Sequence, residues 1–528
     1  MRGLLVSGLG PMIKNVNYLE GSLFDPGEAD VAGYFRDVSP EFALERLELS
    51  VDGGRGPLLL PRCSDVPHLT TFALLAILDG CPGDYDHLDT GDIWADRSPA
   101  LADDYDVVLL STTFIYERRS LRRALRYLAE RWPDATMVLG GQFTNLKFVP
   151  VMRDHPEVDY VVRGDGEEAL PLLMRALAGR GDLSAVPNLV HRTDTGRLGQ
   201  TPLRDIDIET HPSPQFRGKH DIVPYESMRG CPFSCGFCSF PHASPRWRYK
   251  SATKIRDDWG RYAEAHGASM IKAMDSTFTV PPRRMRELFD LLPALGVGWE
   301  GYSRANAVTS AEDVERFAAS HCRSLSIGFE SMSEESLRRM NKRVTAKQNR
   351  QAFELLKDSE VGHRCSFMVG YPGETPEDYR QTHDFLTNEY RGYFMLSIFS
   401  MQDETMPVWQ EADKYDLQVA DPEDPDSGWS HCGMDFAQAK ALHRETLHEV
   451  RRRNDEALLV LWQSRYEVPI APKLPRRQRL RIEKLIERIG MLPVDEPDRA
   501  RGRQLAAGYL HQLADLGVTL RARAGAPV

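Results

Sequence analysis

The sequence predicts an α/β protein with two successive parallel sheets and a mostly helical C-terminal region. Apolar runs of strand length alternate with stretches of helical period, and this alternation occurs in two separate series. A segment rich in Pro, Asp and His, with little periodicity, lies between the two series. We therefore expect an N-terminal domain over residues 1–200, a linker over 201–220, a second domain over 221–405 and a helical domain over 406–528.

The N-terminal series predicts an open parallel sheet. The N-terminal residues and the short apolar runs at 105–111, 135–141 and 158–162 predict buried strands, and residues 118–131 have the leucine spacing of a helix. Ligands of such sheets bind at the carboxyl ends of the strands. The residues at those ends are Ser111, Thr112, Thr113, Gly140, Gly141 and Gly164.

The second series predicts six βα units and hence a partial (β/α)6 barrel. A helix is expected to begin at Thr375, because an N-cap Thr is followed by Pro at the first helical position and by Asp378 at N3. Another helix is expected near Ser333, and from about Asp435 the pattern is mostly helical. The candidate strands are Tyr225–Arg229, Met270–Met274, Trp299–Ser303, Ser324–Phe329, Cys365–Val369 and Phe394–Phe399.

Charge and cysteine content argue against several classes of protein. The net charge of −11, from 66 basic and 77 acidic residues, argues against a nucleic-acid partner, whose binding surface would be basic. No apolar stretch approaches the ~20 residues that span a bilayer, and the N-terminus does not read as a signal peptide. Eight cysteines in a chain of this length do not fit a secreted disulfide scaffold. We expect a cytoplasmic protein without a membrane partner.

Three of the cysteines form a motif that can hold a metal centre. Cys231, Cys235 and Cys238 have the spacing CxxxCxxC, which brings three thiolates together on one loop. A closed zinc site requires four ligands, whereas three cysteines on a [4Fe–4S] cube leave one iron open for a substrate or cofactor. A zinc site completed by His242 and a chance arrangement are the alternatives.

With this spacing, and with Phe237 before the last cysteine, the sequence resembles the radical S-adenosylmethionine (SAM) superfamily. Five further segments between residues 220 and 450 match elements of that family in order. They are Met274-Asp275-Ser-Thr-Phe278, Trp299-Glu-Gly-Tyr-Ser-Arg304, Ser326-Ile-Gly328-Phe-Glu330-Ser331, Met368-Val-Gly370-Tyr-Pro372-Gly373-Glu374-Thr375 and Trp429-Ser-His431.

The resemblance implies a [4Fe–4S] cluster on the three cysteines and SAM on its open iron. SAM cleavage by one electron gives a 5′-deoxyadenosyl radical, so an external donor such as flavodoxin or ferredoxin is implied. By position, Asp275 would bind the methionine amino group and Arg304 its carboxylate. Glu330 and Ser331 would bind the ribose hydroxyls or the amino group, and Gly370 would let the backbone approach the adenosyl moiety. The alternative is that Asp275 and Arg304 cap strands or pair elsewhere.

The N-terminal domain resembles the Rossmann-like cobalamin-binding domain of one branch of this superfamily. The resemblance rests on Tyr105–Thr113, on Met137–Gln142 and on Val158–Glu167. It implies cobalamin contacts from the strand-end residues given above and from Gln142. The chain lacks the DxHxxG motif of other cobalamin modules, so we expect base-off cobalamin with no His on cobalt. The alternative is a sheet that only packs on the barrel.

The two resemblances together imply a methyltransferase. One SAM would methylate cobalamin, a second would activate an unreactive carbon, and methylcobalamin would deliver the methyl group to a small, natural-product-type substrate. Oxidative cyclisation or rearrangement without methyl transfer is the first alternative, and a non-catalytic redox or light sensor is the second. Tyr302 and His431 are the candidate catalytic residues, although barrel packing for Tyr302 and a structural role for His431 remain open.

Overall fold

The computed structural model describes residues 1–8, 48–51, 54–57, 67–94, 97, 99–115, 117–401, 404–421, 427–459, 474–496, 498–517 and 519–521. Two seven-stranded sheets with helices between their strands dominate this part of the chain. The predicted α/β class is therefore confirmed.

The first sheet is parallel except at one edge. Its strand order is β4-β1-β5-β6-β7-β8-β9, with parallel pairing up to β7 and an antiparallel hairpin of β8 and β9 at the edge. The predicted strands β1, β5, β6 and β7 are confirmed, whereas β4 and the hairpin were not predicted. The elements of this part are β1 (Arg2–Ser7), β2 (Glu48–Val51), β3 (Gly54–Pro57), α1 (Leu69–Leu78), β4 (Asp84–Asp89), α2 (Thr90–Trp94), β5 (Val107–Ser111), α3 (Arg118–Arg131), β6 (Thr136–Gly140), α4 (Gln142–Asp154), β7 (Tyr160–Val162), α5 (Ala169–Leu177), β8 (Leu189–Arg192) and β9 (Leu198–Gln200).

The second sheet contains five of the six predicted strands in order, as β13 to β17. Its strands pair β10-β13-β14-β15-β16-β17-β20, and every neighbouring pair is parallel. The elements up to β17 are β10 (Ile222–Tyr225), β11 (Met228–Arg229), α6 (Phe240–Ala243), β12 (Arg248–Tyr249), α7 (Ala252–His266), β13 (Met270–Ala273), α8 (Pro282–Leu291), β14 (Gly298–Ser303), α9 (Ala311–Ala319), β15 (Cys322–Glu330), α10 (Glu334–Arg339), α11 (Ala346–Leu356), β16 (Gly362–Val369), α12 (Pro376–Asn388) and β17 (Gly392–Ile398).

The C-terminal region is helical but also supplies one strand to each of two sheets formed with earlier parts of the chain, which corrects the prediction of a mostly helical tail. Strand β20 is the seventh strand of the second sheet, and β21 pairs antiparallel with β2. Three apolar residues between two helices fit either element, so the pattern could not reveal β20. The elements are α13 (Ala412–Tyr415), β18 (Gln418–Val419), β19 (Trp429–Ser430), α14 (Phe436–Arg453), β20 (Ala457–Leu459), α15 (Arg476–Asp495), α16 (Arg499–Asp515) and β21 (Thr519–Arg521).

Local sequence explains where several elements begin. The Thr375 hydroxyl accepts the N–H of Asp378 at 3.1 Å and the Asp378 carboxylate accepts the N–H of Thr375 at 3.1 Å, so the predicted start of α12 is confirmed. Ser333 likewise caps α10. The strand predicted over Tyr225–Arg229 was wrong, because β10 ends at Tyr225 and Met228 and Arg229 pair with β12 instead.

Strand periodicity separates the two faces of the second sheet. On β13 and β14, Ile271 and Trp299 belong to the apolar core that includes helix residues such as Phe317. The alternate residues Lys272 and Glu300 lie on the opposite face, where Nζ and Oε1 are 3.2 Å apart. The face away from the helices is therefore polar and charged.

Candidate functional site

The cysteine loop, residues 230–238, lies between β11 and α6 and is fixed by close backbone contacts. Gly230 has φ of +76°, and a Cβ there would lie 2.7 Å from the Ser244 carbonyl oxygen. The N–H of Gly236 donates to the carbonyl of Met340 at 2.9 Å. Glycine at position 230 is therefore required for the loop to close on the chain that follows it.

The three thiols share one partly buried environment. Burial raises the pKa of the Cys238 thiol to about 11, and the nearby sulfurs of Cys235 and Cys231 add to this increase. Within the described residues, no three His, Cys, Asp or Glu side chains are grouped tightly enough to hold a single metal ion. In an iron–sulfur cube each thiolate binds a different iron, so the three thiols need not converge on one ion to hold a cluster. His242 lines a cavity described below.

Arg304 places a buried cation directly beside the cysteine loop. Its Nη1 lies 3.7 Å from Cys235 Sγ, and its guanidinium carbon is 3.9 Å from the centre of the Phe233 ring. The other Nη donates to the carbonyl of Lys342, while the buried Nε has no hydrogen-bond partner. This unsatisfied donor can bind a carboxylate, which agrees with the predicted role of Arg304 toward the SAM methionine.

Glu330 and Lys342 form a buried ion pair next to the same loop. Glu330 Oε1 and Lys342 Nζ are 2.7 Å apart, and the ammonium lies 5.4 Å from the centre of the Phe237 ring. Glu330 has φ of +62°, a strained conformation for a non-glycine residue. A Cβ at Gly328 would lie 2.4 Å from Glu330 Oε1, so this glycine makes room for the pair. The ion pair and the backbone conformation together fix the Glu330 carboxylate beside the cysteine loop.

Asp275 lies just after β13, and its oxygens are already taken by the chain that leads into the cysteine loop. Its Oδ1 accepts the N–H of Ser227 at 2.7 Å and of Met228 at 2.9 Å, and Oδ2 accepts the Ser227 hydroxyl. Burial raises the pKa of Asp275 in this position. The geometry favours the alternative reading, in which Asp275 braces the chain leading to the cysteines.

Ser331 and Gly370 are also engaged with the protein itself. The Ser331 hydroxyl lies 3.2 Å from that of Thr382 and accepts the N–H of Ser333 at 3.1 Å. A Cβ at Gly370 would lie 2.4 Å from the Trp429 ring. The indole of Trp429 therefore also requires glycine at this position, and the approach of the Gly370 backbone to the adenosyl group stays a prediction.

His431 connects the turn after β16 to the C-terminal region. Its Nδ1 lies 3.2 Å from the N–H nitrogen of Gly373, 3.0 Å from that of Gly433 and 3.3 Å from that of Met434. Because Nδ1 accepts these bonds, Nε2 carries the proton and donates to the carbonyl of Gly370 at 3.2 Å. Burial lowers the pKa of His431. With both nitrogens occupied, the structural alternative is favoured over acid–base catalysis.

Tyr302 lies at the carboxyl end of β14, on the polar face of the second sheet. Its side chain is 38 % exposed, and that of Met274 at the end of the neighbouring β13 is 41 % exposed. The Arg364 guanidinium lies 5.9 Å from the centre of the Tyr302 ring and donates to Ser326 at 2.9 Å. An accessible aromatic ring above a buried cation can contact a substrate on this face.

A cavity of about 380 Å³ lies between the carboxyl edge of the first sheet and the cysteine loop. This volume is within the range of ligand sites. No side-chain or backbone atom would lie within 4 Å of a Cβ added to Gly164 or Gly166, so the space beside these glycines is open. Six of the predicted strand-end residues line the cavity: Ser111, Thr113, Gly140, Gly141, Gln142 and Gly164.

The seventh predicted residue, Thr112, does not line the cavity. Its hydroxyl donates to the carbonyl of Gly140 at 2.8 Å and lies 3.0 Å from the Thr144 hydroxyl. Gly141 has φ of +101°, and a Cβ there would lie 2.6 Å from the Thr113 nitrogen. Thr112 and Gly141 therefore hold β5 and β6 close together at this edge.

The sequence did not predict one apolar wall of the cavity or several of its charged groups. Helix α1 contributes the wall with part of its ten residues. The unpredicted lining residues include Leu69, Ala73, Leu74, Ile77, Asn145, Asp165, Glu167, Arg229, His242 and Arg248. Among the described lining residues His242 is the single histidine, and it follows the cysteine loop. The cavity is thus apolar on one side and charged where it meets the cysteine loop.

Comparison with known families agrees with the cysteine motif. The sequence model of the Radical SAM superfamily matches residues 225–386. These residues contain the three cysteines, Arg304 and Glu330. The chain therefore carries a radical SAM domain, as its sequence predicts. Within the described residues no helix is both long enough and apolar enough to cross a membrane.

Two relatives indicate which kinds of enzyme this chain resembles in sequence. An uncharacterised methyltransferase of Pyrococcus horikoshii is 26% identical over 351 residues, which are 64% of this chain and 74% of that protein. The anaerobic magnesium-protoporphyrin IX monomethyl ester cyclase of Rubrivivax gelatinosus is 27% identical over 282 residues, 49% of this chain and 50% of the cyclase. The chain thus spans three quarters of one relative and half of the other.

The fold also matches a solved methyltransferase over nearly its whole length. The radical SAM methyltransferase TsrM from Kitasatospora setae, solved with cobalamin and a [4Fe–4S] cluster, has a TM-score of 0.54 at 16% identity. The match covers 97% of this chain and 99% of TsrM. The chain therefore shares the fold of a cobalamin-containing radical SAM enzyme.

Proposed function

We propose that this protein is a cobalamin-dependent radical SAM methyltransferase. It transfers a methyl group from SAM, through cobalamin, to an unactivated carbon of a small molecule. The observation that carries the proposal is the cavity, because the predicted cobalamin loops form one wall and the chain around the cysteine loop forms another. Two cofactors in these places would face each other across a short distance.

We propose the following domain organisation. Residues 1–200 are a Rossmann-like cobalamin-binding domain, 201–220 a linker, 221–405 the partial radical SAM barrel and 406–528 a C-terminal domain. The parallel order of β1, β4, β5, β6 and β7 supports the first assignment. The barrel assignment includes one addition, since Ala457–Leu459 extends its sheet from beyond the predicted boundary.

The residues around the cysteine loop suit a cluster with SAM. When bound, the cluster and SAM supply the electron and the radical source for hydrogen abstraction. Cys231, Cys235 and Cys238 would hold the cluster, and the free Nε of Arg304 would bind the SAM carboxylate. Glu330, fixed by its ion pair with Lys342, would accept a hydrogen bond from SAM. The two cations also offset the negative charge of the thiolates.

The cavity suits cobalamin without a histidine from the first sheet. The strand-end residues that line it would bind the edge of the cofactor through backbone and hydroxyl groups, and the side chains of α1 would cover an apolar face. We propose that cobalamin is base-off, with no His on cobalt. An electron paramagnetic resonance (EPR) spectrum of cob(II)alamin with nitrogen superhyperfine splitting would refute this part.

The substrate site is proposed on the polar face of the second sheet. Tyr302 and Met274 are accessible there, and Arg364 and the Lys272–Glu300 pair lie nearby. Tyr302 would contact the substrate, which we expect to be a natural-product-type small molecule. A flavodoxin- or ferredoxin-like donor would supply the electron.

The proposal is tested by the cofactor content of the anaerobically purified protein. We expect about four irons and four sulfides per chain, with about one cobalamin. Turnover with a substrate should yield S-adenosylhomocysteine and 5′-deoxyadenosine in a common ratio. A variant with Cys231, Cys235 and Cys238 changed to Ala should retain cobalamin and lose the iron. Four irons without cobalamin, or 5′-deoxyadenosine without S-adenosylhomocysteine, would refute methyl transfer, and the second result would favour cyclisation or rearrangement.

A further inference from the structure

Arg229, two positions before Cys231, links the cysteine loop to the first sheet. Its Nη1 donates to Asp165 Oδ1 at 2.9 Å and to Glu167 Oε2 at 3.1 Å, and its Nη2 donates to the other oxygen of Glu167. Asp165 and Glu167 lie in the loop after β7, next to Gly164. The Asp165 and Glu167 side chains are 7% and 10% exposed, and that of Arg229 is 20% exposed. This is a partly buried, charge-assisted contact between the two sheets.

A second arginine holds the same carboxylate. Arg248 Nη2 lies 3.3 Å from Asp165 Oδ1, and Arg248 Nη1 donates to the carbonyl of Ile206 at 2.8 Å. Arg229 and Arg248 are directly opposite each other in the antiparallel pair of β11 and β12. The N–H of Ile206 also donates to Asp165 at 2.8 Å. The loop after β7 is therefore clamped at Asp165 by two arginines from the chain that flanks the cysteine loop.

The other end of the cysteine loop contacts the other glycine-containing loop of the first sheet. Asn145, in the first turn of α4, donates to the carbonyl of Ala243 at 2.5 Å. Helix α4 begins immediately after Gly141, and Ala243 ends α6, five residues after Cys238. Both strand-end loops that line the cavity are thus attached to the segments on either side of the cysteines.

The charges of the clamp keep its carboxylates ionised. Burial alone would raise the pKa of Asp165, but Arg248 and Arg229 hold it below its usual range. Arg229 has the same effect on the pKa of Glu167, again against burial. Without Arg229 these buried carboxylates would repel each other. The loop at Gly164 would then have to move, or one of the two carboxylates would have to bind a proton.

We propose that Arg229 is a positioning residue that sets the separation between cobalamin in the cavity and the cluster on the cysteine loop. This inference rests on the proposed function. Asp165, Glu167, Arg229 and Arg248 all line the cavity, so the clamp forms part of the wall between the two cofactor sites. Arg229 acts through the loop at Gly164, whose backbone has open space beside it for the ligand.

The test uses the reconstituted holoprotein and two measurements that require no substrate. The first is the Kd of hydroxocobalamin, from its absorbance change. The second is the EPR relaxation of cob(II)alamin with the cluster reduced, because two nearby paramagnetic centres shorten each other's relaxation. The variants are Arg229→Met, Arg229→Lys and Glu167→Gln. The matched control is Arg283→Met on α8, where the side chain is 86% exposed and pairs with Glu287.

We expect Arg229→Met to keep about four irons, to raise the cobalamin Kd at least tenfold and to reduce the relaxation enhancement about threefold. Arg229→Lys should recover part of both effects, since it restores the charge but not the fork of donors. Arg283→Met should match the wild type. If Arg229→Met does not fold, Glu167→Gln should change the cobalamin Kd and the relaxation enhancement in the same directions, each by about threefold. The effect is smaller because Asp165 and Glu226 still pair with Arg229.

Two results would overturn the inference in distinguishable ways. Wild-type protein that holds four irons but no cobalamin refutes the proposed function and this inference with it. Wild-type protein that binds cobalamin, with folded Arg229 and Glu167 variants that keep its Kd and relaxation within twofold, refutes only the role of Arg229.

Discussion

Replacing Glu374 by glutamine tests how the turn after β16 is held. The Glu374 side chain is fully buried. One carboxylate oxygen accepts the N–H of Gly370 at 2.7 Å, and the other accepts the Ser336 hydroxyl at 2.9 Å. Burial raises the pKa of Glu374 to about 7 despite these two hydrogen bonds. The carboxyl group therefore binds its proton more tightly in the folded protein than in the unfolded chain.

The size and sign of the effect follow from this pKa. The pKa rises from 4.5 to about 7. A difference of roughly 2.5 pH units corresponds to roughly 3 kcal/mol. Below pH 4.5 the carboxyl group is protonated in both the folded and the unfolded protein, so its burial does not lower the free energy of unfolding through its charge. Above pH 7 it is charged in both states, and the full cost of burying that charge lowers the free energy of unfolding. Glu374 therefore destabilises the wild-type fold progressively as the pH rises through this window.

Glu374→Gln keeps both hydrogen bonds and removes the charge. The amide oxygen can accept the Gly370 N–H, and the amide nitrogen can donate to the Ser336 hydroxyl. Unfolding midpoints would be measured from pH 4.5 to 8 for the wild type, for Glu374→Gln and for the control Glu377→Gln, whose side chain is 88% exposed. The advantage of Glu374→Gln should grow by about 3 kcal/mol across this range, or roughly 6–12 °C for a unit of 150–250 residues. An advantage that stays constant with pH, or that shrinks, would refute the reasoning.

Three further predictions concern the cofactor loops. Cys235→Ser should lower the iron content from about four per chain to near zero by losing a cluster ligand, whereas Cys432→Ser, at an exposed free thiol, should leave it unchanged. Gly141→Ala should cost about 1–3 kcal/mol of stability and weaken cobalamin binding, since φ is positive there; in contrast, Gly508→Ala in α16 should stabilise by up to about 1 kcal/mol. His431→Ala should lower the unfolding midpoint without moving the pH–rate profile, and a displaced profile would instead support acid–base catalysis.

The individual strands of both sheets could be predicted where apolar runs were long enough to identify. β5 and β6 are strands of five residues with buried centres, and their short apolar runs together with their flanking residues favour a strand. β20 has three residues and β11 has two, so their pairing depends on the tertiary fold rather than on local sequence. The helix starts at Ser333 and Thr375 could be predicted because capping is local chemistry.

The sequence identified positions near the site better than it identified what each side chain contacts. Asp275 and Arg304 both follow strands of the barrel and had the same alternatives. In the structure the Asp275 oxygens are filled by Ser227 and Met228, whereas Arg304 retains a free Nε beside the cysteine loop. This difference arises from side-chain packing across a gap of many residues, which no spacing pattern encodes.

Several residues of the family motifs hold loops in place. Gly370 makes room for Trp429, and His431 joins the same turn to the C-terminal region through hydrogen bonds to the backbone. Glu374 closes that turn from inside by accepting the N–H of Gly370. Three motif residues therefore serve one turn, and the rigidity of that turn is a condition for any ligand site built on the strand ends beside it.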